Sequence, residues 1–182
     1  IDEQLAAEIS KDVIILKQKI KEPYRLAAFF SKENTQKISS GIIPNKTKQG
    51  FIERMLLWVR GNLFIPDARV LWVKPSVAFL EKYCSENAID AIITTGPPHS
   101  LHLIGLALQK KLGVKWVADF RDPWTTIGYH KDLNLSAKAE QKHKQLEREV
   151  LQNADLIVVT SPTTQKEFQE ITQQSIEVIT NG

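Results

Sequence analysis

The sequence predicts a doubly wound α/β domain, a parallel sheet with helices on both faces. Three observations predict it. From Asp90 onward, short apolar runs of strand length alternate with stretches of helical spacing. Ser or Pro residues suited to opening a helix stand between these runs, so successive strands are joined by helical crossovers and lie parallel. The chain has 182 residues, 42% hydrophobic and 25% charged, which is one domain of ordinary globular composition.

In chain order, Asp12-Val13-Ile14-Ile15-Leu16 reads as a strand. Residues 31–50 are polar, hold two glycines and a proline, and read as an exposed flexible loop. Residues 51–64 read as a helix. Pro75 opens another, with Val77, Leu80, Tyr83 and Cys84 at helical spacing through about Asn87. Ala91-Ile92-Ile93-Thr94 is the first strand of the regular region. Ser100 is the N-cap of a helix through Leu112, and Gly113 ends it behind Lys110 and Lys111. Lys115-Trp116-Val117-Ala118 is the next strand, followed by a long polar helix from Ser136 to Gln152 with Ala139, Leu146 and Val150 on its inner stripe. Leu156-Ile157-Val158-Val159 is a third strand, Pro162 opens a third crossover helix, and Ile176-Glu177-Val178-Ile179 is the last strand. The whole of 1–182 reads as one domain.

Composition excludes several classes. No window approaches 18 consecutive apolar residues, and the N-terminus Ile1-Asp2-Glu3-Gln4 has neither the basic nor the apolar region of a signal peptide. The absent initiator Met reads as a processed or excised piece. The one cysteine, Cys84, reads as a core residue; it has no internal partner and fits a reducing cytosol. A net charge of +3 is too small to call for nucleic acid. Its whole excess lies in residues 1–91, which hold 14 Lys and Arg against 11 Asp and Glu. Lys46, Lys48, Arg54, Arg60, Arg69 and Lys74 there interleave with Phe51, Met55, Trp58, Leu63 and Phe64. Such a basic, Trp-bearing amphipathic helix over 51–64 reads first as a core-packed helix with a solvated basic edge, and its alternative is an anionic membrane surface.

Ligands of open parallel sheets bind beyond the carboxyl ends of the strands. Three unusual segments fall at that edge and are expected to line one crevice: residues 94–100 (Thr-Thr-Gly-Pro-Pro-His-Ser), 119–124 (Asp-Phe-Arg-Asp-Pro-Trp) and 160–163 (Thr-Ser-Pro-Thr). In the first, Gly96 and the helix start at Ser100 offer backbone amides and a positive dipole end to a hydroxyl-rich or phosphorylated ligand, unless the Gly-Pro-Pro turn is merely rigid. His99 can donate to or accept from a sugar hydroxyl. His102 follows three residues on and reads as a packed core histidine, the pair lacking a third ligand for a metal. In the second, Asp119 and Asp122 flank Arg121, with Trp124 beside them. An Arg held by carboxylates can present its guanidinium to phosphate or sugar oxygens; the alternative is an ion-pair and Trp-packing knot that stiffens the loop. In the third, Ser161 belongs to a hydroxyl-rich helix start that a plain N-cap explains equally well. No G-x-G-x-x-G, no G-x-x-x-x-G-K-[ST], no G-x-S-x-G and no Cys/His cluster is present, and no cofactor is called for.

From about Asn62 to Gly182 the chain resembles the N-terminal domain of glycosyltransferase family 4, retaining enzymes of the GT-B fold, whose halves are Rossmann-like. The stretches that carry the resemblance are GNLFIPDARVLWVKPS (61–76), IITTGPPHSLHLIGLALQKKLGV (92–114), DFRDPW (119–124), EREVLQNADLIVVTSPTTQKEF (147–168) and IEVITNG (176–182). Asp-x-Arg-Asp-x-Trp is similar to a motif of a branch that makes bacterial surface polysaccharides. Glu22-Pro23-Tyr24 resembles the variable connection after the second strand of such a domain. The family's opening strand with its glycine-rich loop is not present, and its C-terminal domain, with an acidic E-x7-E pair and most of the nucleotide-sugar site, would start just beyond Gly182. Many members place a His where Arg121 stands here. The resemblance implies a cytoplasmic enzyme, peripheral at the inner face of the membrane, that moves a hexose from a nucleotide-sugar donor to a glycan or lipid-linked acceptor. This piece would be its acceptor-side half, inactive alone. Arg121 would contact the donor, Asp119 and Asp122 would orient it, and His99 would contact the acceptor or the transferring sugar. Gly96, Pro97, Ser100, Trp124 and Ser161 would line the substrate site. The rival reading is a non-catalytic α/β binding module.

Overall fold

The computed structural model describes residues 10, 12–20, 51–128 and 133–180. The helices are α1 (Phe51–Leu63), α2 (Val70–Glu86), α3 (Ser100–Leu112), α4 (Ala137–Asn153) and α5 (Pro162–Gln169). The strands are β1 (Ala91–Gly96), β2 (Lys115–Phe120), β3 (Leu156–Val159) and β4 (Ile176–Val178). They form one parallel sheet in the order β1-β2-β3-β4. The alternating pattern from Asp90 onward thus gives the predicted parallel α/β sheet. The expected loop over 31–50 and the Glu22-Pro23-Tyr24 connection lie outside the described residues.

The core forms on one face of the sheet. Trp116, Ala118 and Phe120 of β2, Ile157 and Val159 of β3 and Ile176 of β4 point to the same side, where they meet Leu106 of α3, Val150 and Leu151 of α4 and Phe168 of α5. The opposite rows carry Ile93, which is 69% exposed, with Val117, Leu156 and Val158 half-buried. Helices on both faces were expected; among the described residues the crossover helices α3, α4 and α5 cover one face. The reason is topological. Right-handed crossovers between strands added one after another in the same direction put every connecting helix on the same side. Cover on the second side needs a reversal of strand order, and β1-β2-β3-β4 contains none.

Three further expectations are corrected. Residues 12–16 form no strand, and Val13, Ile14, Ile15 and Leu16 are exposed. An apolar run becomes a strand only by pairing, and none of the four strands pairs with it. Pro75 does not open α2 but lies inside it, five residues past its start at Val70. The apolar spacing of Trp72, Val73, Val77 and Leu80 packs α2 onto Leu101, Ile104 and Leu108 of α3, and that contact outweighs the one helical hydrogen bond Pro75 forgoes. Cys84 is half-buried rather than core. Gly113 ends α3 as predicted, in the left-handed region at φ 66°, with its N–H donating to the Gln109 carbonyl at 2.8 Å. No helix among the described residues is long and apolar enough to cross a membrane.

Candidate functional site at the carboxyl edge of the sheet

The three segments predicted to converge do so through hydrogen bonds. The Arg121 N–H, just past β2, donates to the Gly96 carbonyl at the end of β1 at 3.0 Å. The Thr160 hydroxyl, just past β3, donates to the Arg121 carbonyl at 2.9 Å. Arg121 is therefore fixed by both of its backbone polar groups while its side chain stands in solvent, as does that of Asp122. Asp119 is half-buried, and neither carboxylate forms an ion pair with Arg121. The alternative of an ion-pair knot is thus not what holds the loop. Asp119 points to the opposite sheet face, in the row shared with Thr95 and Val158.

The aromatic and helix-start residues of the site lie below the surface. His99 is 6% exposed, and its ring stacks on Trp124 with centroids 5.0 Å apart and planes 2° from parallel. Trp124 is 2% exposed, so it forms the floor of the site and offers no stacking surface to a ligand. His102 is fully buried, as predicted, with Nδ1 2.9 Å from the Thr94 hydroxyl and its ring on Phe120. Gly96 is required by this packing, since a Cβ there would sit 2.5 Å from His102 Nε2. Ser100 is also fully buried. It begins α3 rather than capping it, because Asp67 supplies the cap from a preceding loop: Oδ2 accepts from the Ser100 N–H and Oδ1 from its hydroxyl, each at 2.8 Å. The helix dipole expected to serve a phosphate is thus already met by a carboxylate of this chain. Ser161 caps α5, accepting from the Thr164 N–H at 3.2 Å. Pro97 and Pro98 remain half-buried at the rim.

Two residues that the sequence reading passed over shape this edge from behind. Ala139, His143, Glu147, Val150 and Leu151 form the buried stripe of α4, turned one step from the expected Ala139, Leu146 and Val150. His143 Nδ1 accepts from the Trp124 indole N–H at 3.2 Å, and its Nε2 lies 3.3 Å from the Gly61 carbonyl of α1. Glu147 accepts from Thr125 twice, from the N–H at 2.9 Å and the hydroxyl at 2.6 Å. Glu167 of α5 accepts from the Thr126 hydroxyl at 2.7 Å. The signal was available in the sequence: a His and a Glu standing four apart on an otherwise apolar stripe.

With the geometry in hand, a family model described as Glycosyltransferase Family 4 matches residues 42–182, more than three quarters of the chain. The chain belongs to glycosyltransferase family 4. No curated protein and no solved structure matched it. In this family 4 domain the four-stranded sheet and its helices form the expected Rossmann-like α/β unit.

The electrostatics of the family 4 site follow from burial. Glu147 is 3% exposed, and burial pushes its carboxyl above the usual range; hydrogen bonds from Thr125 and Trp124 oppose the rise, and the nearby Glu167 charge adds to it. Burial holds His102 well below the ordinary histidine range, with His99 adding to the effect, and holds His143 lower as well. The floor is thus aromatic, while the rim carries an exposed guanidinium and a carboxylate. Among the described residues no group of three His, Cys, Asp or Glu gathers as a metal site would require. The rim suits recognition of oxygen-rich groups by charge and hydrogen bonds.

Proposed function

We propose that this domain is the acceptor-side half of a retaining glycosyltransferase that moves a hexose from a nucleotide sugar to a glycan or lipid-linked acceptor in bacterial surface polysaccharide synthesis. The observation that carries the reading is the pinning of the Arg121 backbone between Gly96 and Thr160, which places an exposed guanidinium at the carboxyl edge of a parallel sheet. Breaking the bond from sugar to diphosphate leaves negative charge on the departing phosphate. A pre-positioned guanidinium lowers the barrier by meeting that charge without reorganisation. Asp122 and the more distant Asp119 shape the field around Arg121, and Pro97 and Ser161 border the acceptor side. His99, Gly96, Ser100 and Trp124 act as the packed support of this rim. A second, nucleotide-binding domain closes the cleft from the far side. The test is nucleoside-diphosphate release by the full-length protein across a panel of nucleotide sugars, with a cell-envelope extract as acceptor. Release with one sugar, and a product that keeps its anomeric configuration, is expected. Silence across the panel from folded protein would overturn the reading in favour of a non-catalytic binding module.

A second reading, compatible with the first, is favoured by α1, where Met55, Trp58 and Leu63 are exposed beside Arg54. This face suits the inner surface of an anionic membrane. Co-sedimentation with anionic vesicles that weakens with salt is expected; binding indifferent to lipid charge would contradict it.

A further inference from the structure

Two helices behind the carboxyl edge grip three successive residues of the loop that follows β2. The Trp124 indole N–H goes to His143, both donors of Thr125 go to Glu147, and the Thr126 hydroxyl goes to Glu167. Upstream, Arg121 is tied to Gly96 and Thr160. Only Asp122 and Pro123 separate the two anchorages, and proline fixes one of the intervening backbone angles. The guanidinium of Arg121 therefore rises from a backbone held on both sides.

Glu147 is the least expected member of this grip. A carboxylate that is 3% exposed forgoes hydration that a surface position would keep, so its presence needs an account. Its chemistry supplies one. The Thr125 N–H and hydroxyl converge on it as two donors, and a carboxylate has an acceptor oxygen for each. Glutamine has the same shape but one acceptor, and an apolar residue has none. Ordinary packing of α4 against the sheet is already provided by Val150 and Leu151.

We propose that Glu147 is a positioning residue for glycosyl transfer, which locks Thr125 so that the loop presents Arg121 to the donor in one orientation. It touches no substrate and acts through Arg121. His143 performs the companion task for Trp124. The inference rests on the reading of Arg121 as the donor-facing residue, and the experiment separates the two.

In the full-length protein, Glu147→Gln and Thr125→Val are compared with Arg121→Ala and with the double variant Arg121→Ala/Glu147→Gln. Hydrogen exchange is read at the amides of residues 121–126 and in β2, and turnover is read with the donor that the nucleotide-sugar panel identifies. Glu147→Gln is expected to speed exchange at 121–126 about tenfold or more while β2 stays protected, and to lower turnover about 10²-fold. Thr125→Val, which removes only the hydroxyl donor, is expected to act in the same direction but less. Loss of turnover in the Arg121→Ala background is expected to be no greater than from Arg121→Ala alone, because a residue acting through Arg121 has nothing left to position. A merely structural Glu147 would instead give losses that add. Unchanged exchange at 121–126, or additive losses, would overturn the proposal. If Arg121→Ala lowers turnover and Glu147→Gln does not, the positioning role alone falls. If Arg121→Ala leaves turnover intact, the donor-contact reading falls and takes the positioning role with it.

Discussion

Glu147, His143 and His102 are ionisable groups taken out of water, and each ties stability to pH in a direction set by its own shift. Burial lowers both histidines, so the unfolded chain takes up protons on them below about 6.5 that the folded chain refuses. Their contribution is fully present above 6.5 and is lost as pH falls below it, at up to about 1.4 kcal/mol per pH unit for each group. Glu147 has the opposite sign. Its carboxyl is raised above the ordinary 4.5, so the folded chain holds the extra proton, and acidification between the raised value and 4.5 relieves the cost of burying its charge. Just below 6.5 the two histidines act together and set the direction of the fall. The unfolding free energy, measured by urea at pH 7.5 and 5.5, is expected to be lower at 5.5. A His102→Gln variant should show a shallower fall, and equal or greater wild-type stability at 5.5 would contradict the assignment of neutral buried histidines. At this scale the sequence was informative about kind and weak about depth. It marked Gly96, His99, Arg121 and Trp124 as unusual, yet a residue's chemistry does not say which way its side chain points. Trp124 and His99, attractive as ligand-facing rings, stack on each other beneath the surface.

Among the elements, α3 depends on a partner distant in the chain. Its first turn is closed by Asp67, 33 residues before Ser100, through the Ser100 N–H and hydroxyl. Asp67 also accepts from the Arg69 N–H at 2.8 Å, so one carboxylate orders the turn into α2 and the start of α3 together. Asp67→Ala is expected to lower stability by about 1–2 kcal/mol, as loss of an N-cap does, without changing the parallel sheet. A change below about 0.3 kcal/mol in urea unfolding would mean that the cap carries no weight. Local pattern found α3, α5 and β3 with close boundaries, because their apolar runs, the Gly113 stop of α3 and the Ser161 cap of α5 are adjacent in sequence. It misplaced the start of α2, where periodic packing of Trp72, Val73 and Val77 on α3 overrides Pro75. It also gave a strand to residues 12–16, whose apolar run finds no pairing edge among β1–β4. A cap supplied across 33 residues, and a strand that requires a particular neighbour, are non-local facts that a single run of residues does not contain.

Across the whole molecule, the order β1-β2-β3-β4 brings three strand ends side by side and makes Arg121 the residue on which they meet. This convergence was legible in the sequence, because alternating strands and helices force parallel strands, and parallel strands place every following loop at one edge. The same order explains why the second sheet face, with Ile93 exposed, lacks helical cover among the described residues. Membership of glycosyltransferase family 4 gives that edge a chemical context, and the anchoring of its loop by α4 and α5 holds the backbone that carries Arg121. The central claim is that this guanidinium, carried on a held backbone, meets charge that develops during transfer. The most direct measurement is therefore the turnover of Arg121→Ala against wild type, in the full-length protein with its identified donor. A fall of about 10²–10³ in kcat, with stability unchanged, is expected for loss of a pre-positioned charge contact. Turnover near the wild-type value would contradict the account.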